Sequence, residues 1–150
     1  MRSSREPPDG ERIGGQPPHF ERVTSAPGIS FRVDAAGVVR TVMQGRISAA
    51  HLISHAQTRE AMAVLGRPQI VDAREARLNL SAEDIRRFAG LVGELNRRTR
   101  FGRTAFVVSG DFGYGLARMF AAYDTTGPDR FAVFRTMEEA EAWIGGGGPR

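Results

Sequence analysis

The sequence predicts an α/β domain: a single mixed, mostly parallel five-stranded sheet with four helices, in the order ββαβαβαβα. Three observations predict it. Runs with the two-residue period of strands alternate with segments of helical period across residues 29–145. A hydroxyl residue with an acid three positions later opens two of the helical segments, at Ser81 with Asp84 and at Thr136 with Glu139. The run "TAFVV" is apolar without a break, as a strand covered on both faces must be.

Taken in order, "ISFRVD" (29–34) alternates as a half-buried strand does, and "AAG" turns it into "VVRTVMQG" (38–45), so the two are expected to pair as a hairpin. The first helix is expected from Ser48 as N-cap to a stop at Gly66, with apolar residues at 49, 52, 53, 56 and 63. "PQIVDA" (68–73) is a short buried strand, followed by a helix from Ser81 to about Thr99 whose buried stripe is Ile85, Phe88, Ala89, Val92 and Leu95. "RTAFVVS" (103–109) is the fourth strand, with a helix over about 113–124 behind it. "RFAVFR" (130–135) is the fifth, and "MEEAEAWIG" closes the chain as a helix capped by Thr136. Strands joined through helices lie parallel with right-handed crossovers, so strands two to five form a parallel core.

Residues 1–28 hold five of the eight prolines and no apolar periodicity, and are expected to be a disordered arm. The domain is expected over 29–145, with a flexible Gly-rich tail over 146–150.

Composition narrows the chemistry. With no cysteine, disulfides, thiolate metal ligands and thiol nucleophiles are excluded. No apolar run reaches the length of a membrane span and the N-terminus lacks the apolar centre of a secretory signal, so a cytoplasmic protein is expected. All 21 basic residues are arginine, and the net charge is +4. The densest basic run, "RRTRFGR", falls at a helix end, where cations complement the helix dipole. No nucleic-acid partner is therefore expected.

A parallel sheet brings the loops that leave its strands, and the helix N-termini behind them, to one edge. The sequence delivers Asp72, Arg74, Ser81, Ser109, Gly110, Asp111, Gly113 and Arg118 there, and these are the candidate binding residues. Asp72 and Asp111 could together hold a divalent ion or do acid/base work. As single residues they are equally a strand-end turn residue and a helix cap. The stretch "SGDFGYGLARMF" (109–120) spaces its glycines as GxxGxG, whereas the dinucleotide fingerprint is GxGxxG and the phosphate loop ends in GK[ST]. Its glycines are read as a tight turn from strand to helix, with Asp111 capping. Arg118, one turn into that helix, is expected to pair with an acid such as Asp111. His51 and His55 stand four apart and could share a metal ion, but no third ligand is apparent; they are read as ordinary surface residues. Neither a cofactor nor a metal site is expected.

Four segments, "ISFRVDAAGVVRTVMQG", "PQIVDAREARLNLSAEDI", "GRTAFVVSGDFGYGLARMF" and "FAVFRTMEEAEAWI", resemble the STAS superfamily and its SpoIIAA-like small bacterial proteins over residues 29–145. The resemblance implies the ββαβαβαβα fold and a non-catalytic regulatory or protein-interaction module, with an unidentified protein as partner. Some members of that superfamily sense nucleotides or other small ligands, so an anionic ligand such as a nucleotide or lipid head group at the helix N-termini is the alternative. The best-known members are switched by phosphorylation of a serine in a DSSGL motif. Ser81 stands in that place, with Leu80 for the acid and Ala82 for the second serine. Ser81 is thus a candidate phosphoacceptor as well as a helix cap.

Overall fold

The apolar-polar alternation of the early strands and the helical stripes behind them fold onto one sheet. The computed structural model describes residues 21–123 and 129–146. Its elements are β1 (Val23–Ala26), β2 (Ile29–Val33), β3 (Val39–Ile47), α1 (Ala49–Ala61), β4 (Gln69–Leu78), α2 (Ala82–Arg98), β5 (Thr104–Val107), α3 (Asp111–Tyr123), β6 (Phe131–Phe134) and α4 (Met137–Gly145). Among the described residues the sheet has six strands in the order β1-β2-β3-β4-β5-β6. The β2–β3 hairpin is antiparallel and β3 to β6 run parallel, as the sequence predicts.

Boundaries in the first part of the chain differ from expectation. The sheet has one strand more than five, because residues 23–26, placed in the arm, add β1 antiparallel to β2. This strand is only four residues long; besides its pairing with β2, what holds it is α1, whose Ser54 hydroxyl donates to the Ser25 carbonyl at 2.6 Å. The first helix stops at Ala61 instead of Gly66. Met62 is its C-cap and Ala63 takes a left-handed φ of 60°, breaking the ladder early. Residues 1–20 of the expected arm and 147–150 of the expected tail lie outside the described residues, as does residue 124 at the expected end of the third helix.

Consecutive right-handed crossovers put α1, α2 and α3 on one face of the sheet, while α4 follows the last strand and packs on the other. The first face buries Ala56, Leu65, Ile85, Ala89, Val92, Leu95, Leu116 and Phe120 around Phe101. Ile70, Ala105, Val107 and Ala140 form the second core under α4. Each fully buried Ile, Val or Phe contributes about 1.5–3 kcal/mol, so these two layers drive folding. Arg40 of β3 ties α4 to the hairpin by pairing with both Asp34 and Glu141.

A polar chain crosses the first core. Ser25 Oγ lies 2.8 Å from His55 Nδ1, His55 Nε2 lies 3.0 Å from Gln69 Oε1, and the Thr41 hydroxyl donates to the same oxygen at 2.6 Å. Because Oε1 only accepts, the imidazole carries its hydrogen on Nε2 and accepts the Ser25 hydroxyl at Nδ1. His55 is 5% exposed. Burial, with the nearby charge of Arg59, lowers its pKa to about 4, so the ring is neutral at pH 7. The expectation of an ordinary surface histidine is corrected for His55. His51 instead accepts from the Ser48 backbone N–H in the α1 capping box. The two rings serve different elements and do not form a metal pair.

Candidate functional site

β3 and β4 outrun their neighbours. β5 ends at Val107, in register with Asp72, whereas β4 continues to Leu78 and remains paired with β3 to Ile47. The expected strand end at residue 73 is therefore corrected: Arg74, Glu75 and Ala76 are weak strand formers, and pairing with β3 extends them. The register shifts between Val42 and Gln44, so that Ala73 and Arg74 together oppose Met43. Such a bulge bends the strand and re-aims its side chains. Arg74 folds back on the bulge. Its Nε and Nη2 each donate to the Asp72 carboxylate at 2.9 Å, and its backbone N–H at 3.2 Å. The Arg74 guanidinium and backbone hold the Asp72 carboxyl below the ordinary value.

Facing the projecting ribbon is the start of α3. Gly110, at φ 77°, makes the left-handed turn out of β5. Gly113 and Gly115 sit inside the helix with room for a Cβ, so of the three glycines only Gly110 is needed for the turn. Ser109 joins the two sides by donating its hydroxyl to the Arg74 carbonyl at 2.9 Å. Between ribbon and helix lies an open groove of about 430 Å³, lined by Ala73, Ala76, Arg77 and Leu78 on one side and Val108 and residues 109–113 on the other.

The candidate residues divide accordingly. Ser109, Gly110, Asp111 and Gly113 line the groove; Asp72 and Arg74 buttress the bulge behind it. Asp111 is the first residue of α3, not its cap, and pairs with Arg135 at 3.1 Å. The expected Arg118 partner is thereby corrected: its guanidinium lies over the Tyr114 ring at 5.9 Å, with Arg135 over the same ring at 4.1 Å. Each aspartate is engaged by its own arginine, which removes the motive for a shared metal ion. Ser81 caps α2 outside the groove; its Oγ accepts from the Asp84 N–H and the Asp84 carboxylate accepts from the Ser81 N–H, both at 3.0 Å.

Two groove features escaped the sequence reading. Phe112, on the outside of the first turn of α3, is 69% exposed, the most exposed large apolar side chain among the described residues. Arg77 lines the groove and stands in register beside Arg46 on β3. Neither arginine has an ion-pair partner among the described residues. The available signal was the charged-apolar alternation of "EARL" (75–78), which resumes the two-residue period after the bulge.

No family model and no curated protein sequence matches the chain. Among solved structures it is similar to a protein of the DUF3478 family with a SpoIIAA-like fold from Shewanella loihica, at 18% identity and a TM-score of 0.52, over 78% of this chain and 94% of that one. SiaC of Pseudomonas aeruginosa superposes with 17% identity and a TM-score of 0.40, over 78% and 98% of the two chains. The first likeness, together with the strand order, gives this chain the SpoIIAA-like fold.

Proposed function

We propose that this SpoIIAA-like domain is a non-catalytic regulatory module that takes a protein partner in the groove between the β3–β4 ribbon and the start of α3. The observation that carries the reading is Phe112, an aromatic ring left in water at the lip of a groove whose floor is Ala73, Ala76 and Leu78. Aromatic anchors of this kind supply most of the energy at the centre of an interface. The adjacent like charges of Arg46 and Arg77 repel one another and favour a partner with an acidic group beside its apolar anchor. Asp111 in the groove and Asp72 behind it are held by Arg135 and Arg74 and stand as structural ion pairs rather than as a catalytic pair.

The test is a photo-crosslinking amino acid placed at position 112, and at exposed Arg87 on α2 as the control, in the producing bacterium. A discrete adduct from position 112, lost on Arg77→Glu, supports the reading; equal labelling from both positions, or none from 112, overturns it. The unpaired Arg77 also favours a second reading, an anionic small ligand in the same groove, which thermal shifts with nucleotides and anionic head groups would detect. Ser81 is the position a kinase would use to switch the module, since added negative charge suits a helix N-terminus.

A further inference from the structure

The groove follows an open edge of the sheet. Nothing continues β5 beyond Val107, so β4 from Ala73 to Leu78, about 20 Å of strand, is paired on one side only among the described residues. Ala76, Arg77 and Leu78 all line the groove. Successive side chains of a strand point to opposite faces, so a groove that touches all three runs along the strand's edge and not over one of its faces.

The direction of the backbone groups on that edge follows from two fixed points. Along a parallel strand the N–H and C=O of one residue point to one neighbour, and those of the next residue to the other. The Asn79 N–H donates to the Ile47 carbonyl of β3 at 2.9 Å, and the pairing with β3 is unbroken from Glu75 to Leu78. Arg77 and Glu75 therefore turn their backbone groups to β3. The Arg74 carbonyl, in contrast, accepts the Ser109 hydroxyl from the opposite side. Ala76 and Leu78 share the direction of Arg74 and turn their N–H and C=O into the groove, where no strand meets them among the described residues. An unpaired row of this kind is a template for another chain. The bulge lies at Ala73 and Arg74, before this stretch, so the open part of the edge is regular strand.

The two faces beside the edge differ in chemistry. Ala76 and Leu78 pack against the apolar cluster that Leu52 of α1 and Ala117 of α3 complete, and α3, which carries the exposed Phe112, covers that face. Arg77 points to the other face, in register with Arg46. A strand laid beside β4 would place every second side chain on the apolar face. The side chains between them would extend the row of Arg46 and Arg77, two like charges that no acid pairs among the described residues, and a carboxylate there would relieve their repulsion.

We infer that the partner enters the groove as an extended segment that adds a strand to β4 at Ala76 and Leu78, with apolar and acidic side chains in alternation; this rests on the protein-partner reading above and specifies its mode.

The experiment is amide hydrogen exchange by NMR on the full chain, alone and with a short capped peptide that alternates valine and glutamate at millimolar concentration. In the free protein the Ala76 and Leu78 amides should exchange about tenfold faster than those of Arg77 and Asn79, which are bonded to β3. The peptide should slow Ala76 and Leu78 about tenfold. N-methylation of one alternate set of peptide residues should abolish the slowing and N-methylation of the other set should leave it, because a strand presents its N–H groups to two sides in turn. Arg77→Glu should weaken the peptide about tenfold and shift the preference to one with lysine in place of glutamate. The methylation comparison needs no variant of the protein and stands whether or not Arg77→Glu folds. Ala76 and Leu78 amides that the peptide leaves unchanged, or slowing that neither methylation removes, overturns the inference; a discrete adduct from position 112 in that case leaves the proposed function standing, with the partner docked through side chains alone. Slowing that grows with protein concentration in the absence of peptide assigns the edge to a second copy of this chain and likewise overturns it.

Discussion

Replacing His55 by Gln removes the titrating group from the buried Ser25–His55–Gln69–Thr41 chain while keeping a side chain that can hydrogen-bond. The native ring ionises near pH 4, against 6.5 when exposed. Its folded pKa is depressed, so between those values the unfolded chain binds the proton and the folded one does not; stability therefore rises with pH through this window. The full effect is about 3 kcal/mol, present above pH 6.5 and lost as pH falls to 4. Between pH 7 and pH 5 the wild type is expected to lose about 2 kcal/mol from this group alone. The carboxylates with lowered values, Asp34, Asp72 and Glu141, lie below the ordinary 3.8 to 4.5 of free carboxyls and give up their contributions mainly below that window. Urea denaturation of both proteins at intervals from pH 7.5 to 5 measures the effect as the difference between two slopes, whatever Gln costs in absolute stability. Parallel profiles for wild type and His55→Gln, or an imidazole that titrates near pH 6.5 by NMR while the protein stays folded, would refute the burial argument.

Three further outcomes are expected. Gly110→Ala places a Cβ at φ 77° with nothing within 4 Å to clash, so backbone strain alone should cost about 1–2 kcal/mol, whereas Gly115→Ala inside α3 should stabilise by up to about 1 kcal/mol. Denaturant midpoints of the pair check this, and equal effects of the same sign would contradict it. Ser81→Ala removes one half of the α2 capping box and should cost about 1 kcal/mol by urea denaturation. Phe112→Ser, on an exposed ring, should leave the unfolding free energy within about 0.5 kcal/mol of wild type by urea denaturation; a large loss of stability would show the ring to be a packing residue instead.

Periodicity and capping lie along the chain, and whatever depends on them was open to the sequence. The hairpin at "VDAAGVV", the boxes at Ser81 and Thr136, the stripe from Ile85 to Leu95 and the unbroken "TAFVV" each stabilise their own element through neighbours a few residues away. The order of these elements then restricts the parallel sheet and the handedness of its crossovers. The candidate edge was legible to the same degree: it follows from strand direction, and Ser109, Gly110, Asp111 and Gly113 do line the groove there. What tertiary structure decided is everything whose stabilising partner is remote in sequence. β1 exists because α1 supplies hydrogen bonds to Ser25 from residues 54 and 55. "AREARL" is strand because β3 pairs with it, and that pairing turns a loop into the wall of a groove. Asp111 meets Arg135 instead of Arg118, from the turn just past β6, 24 residues away. Burial works in the same way: His55, read as an ordinary surface residue, is a neutral ring, and Arg59 one turn on is a buried cation, because the sheet closes over them. Their chemistry is set by the dielectric of a core that local sequence does not describe.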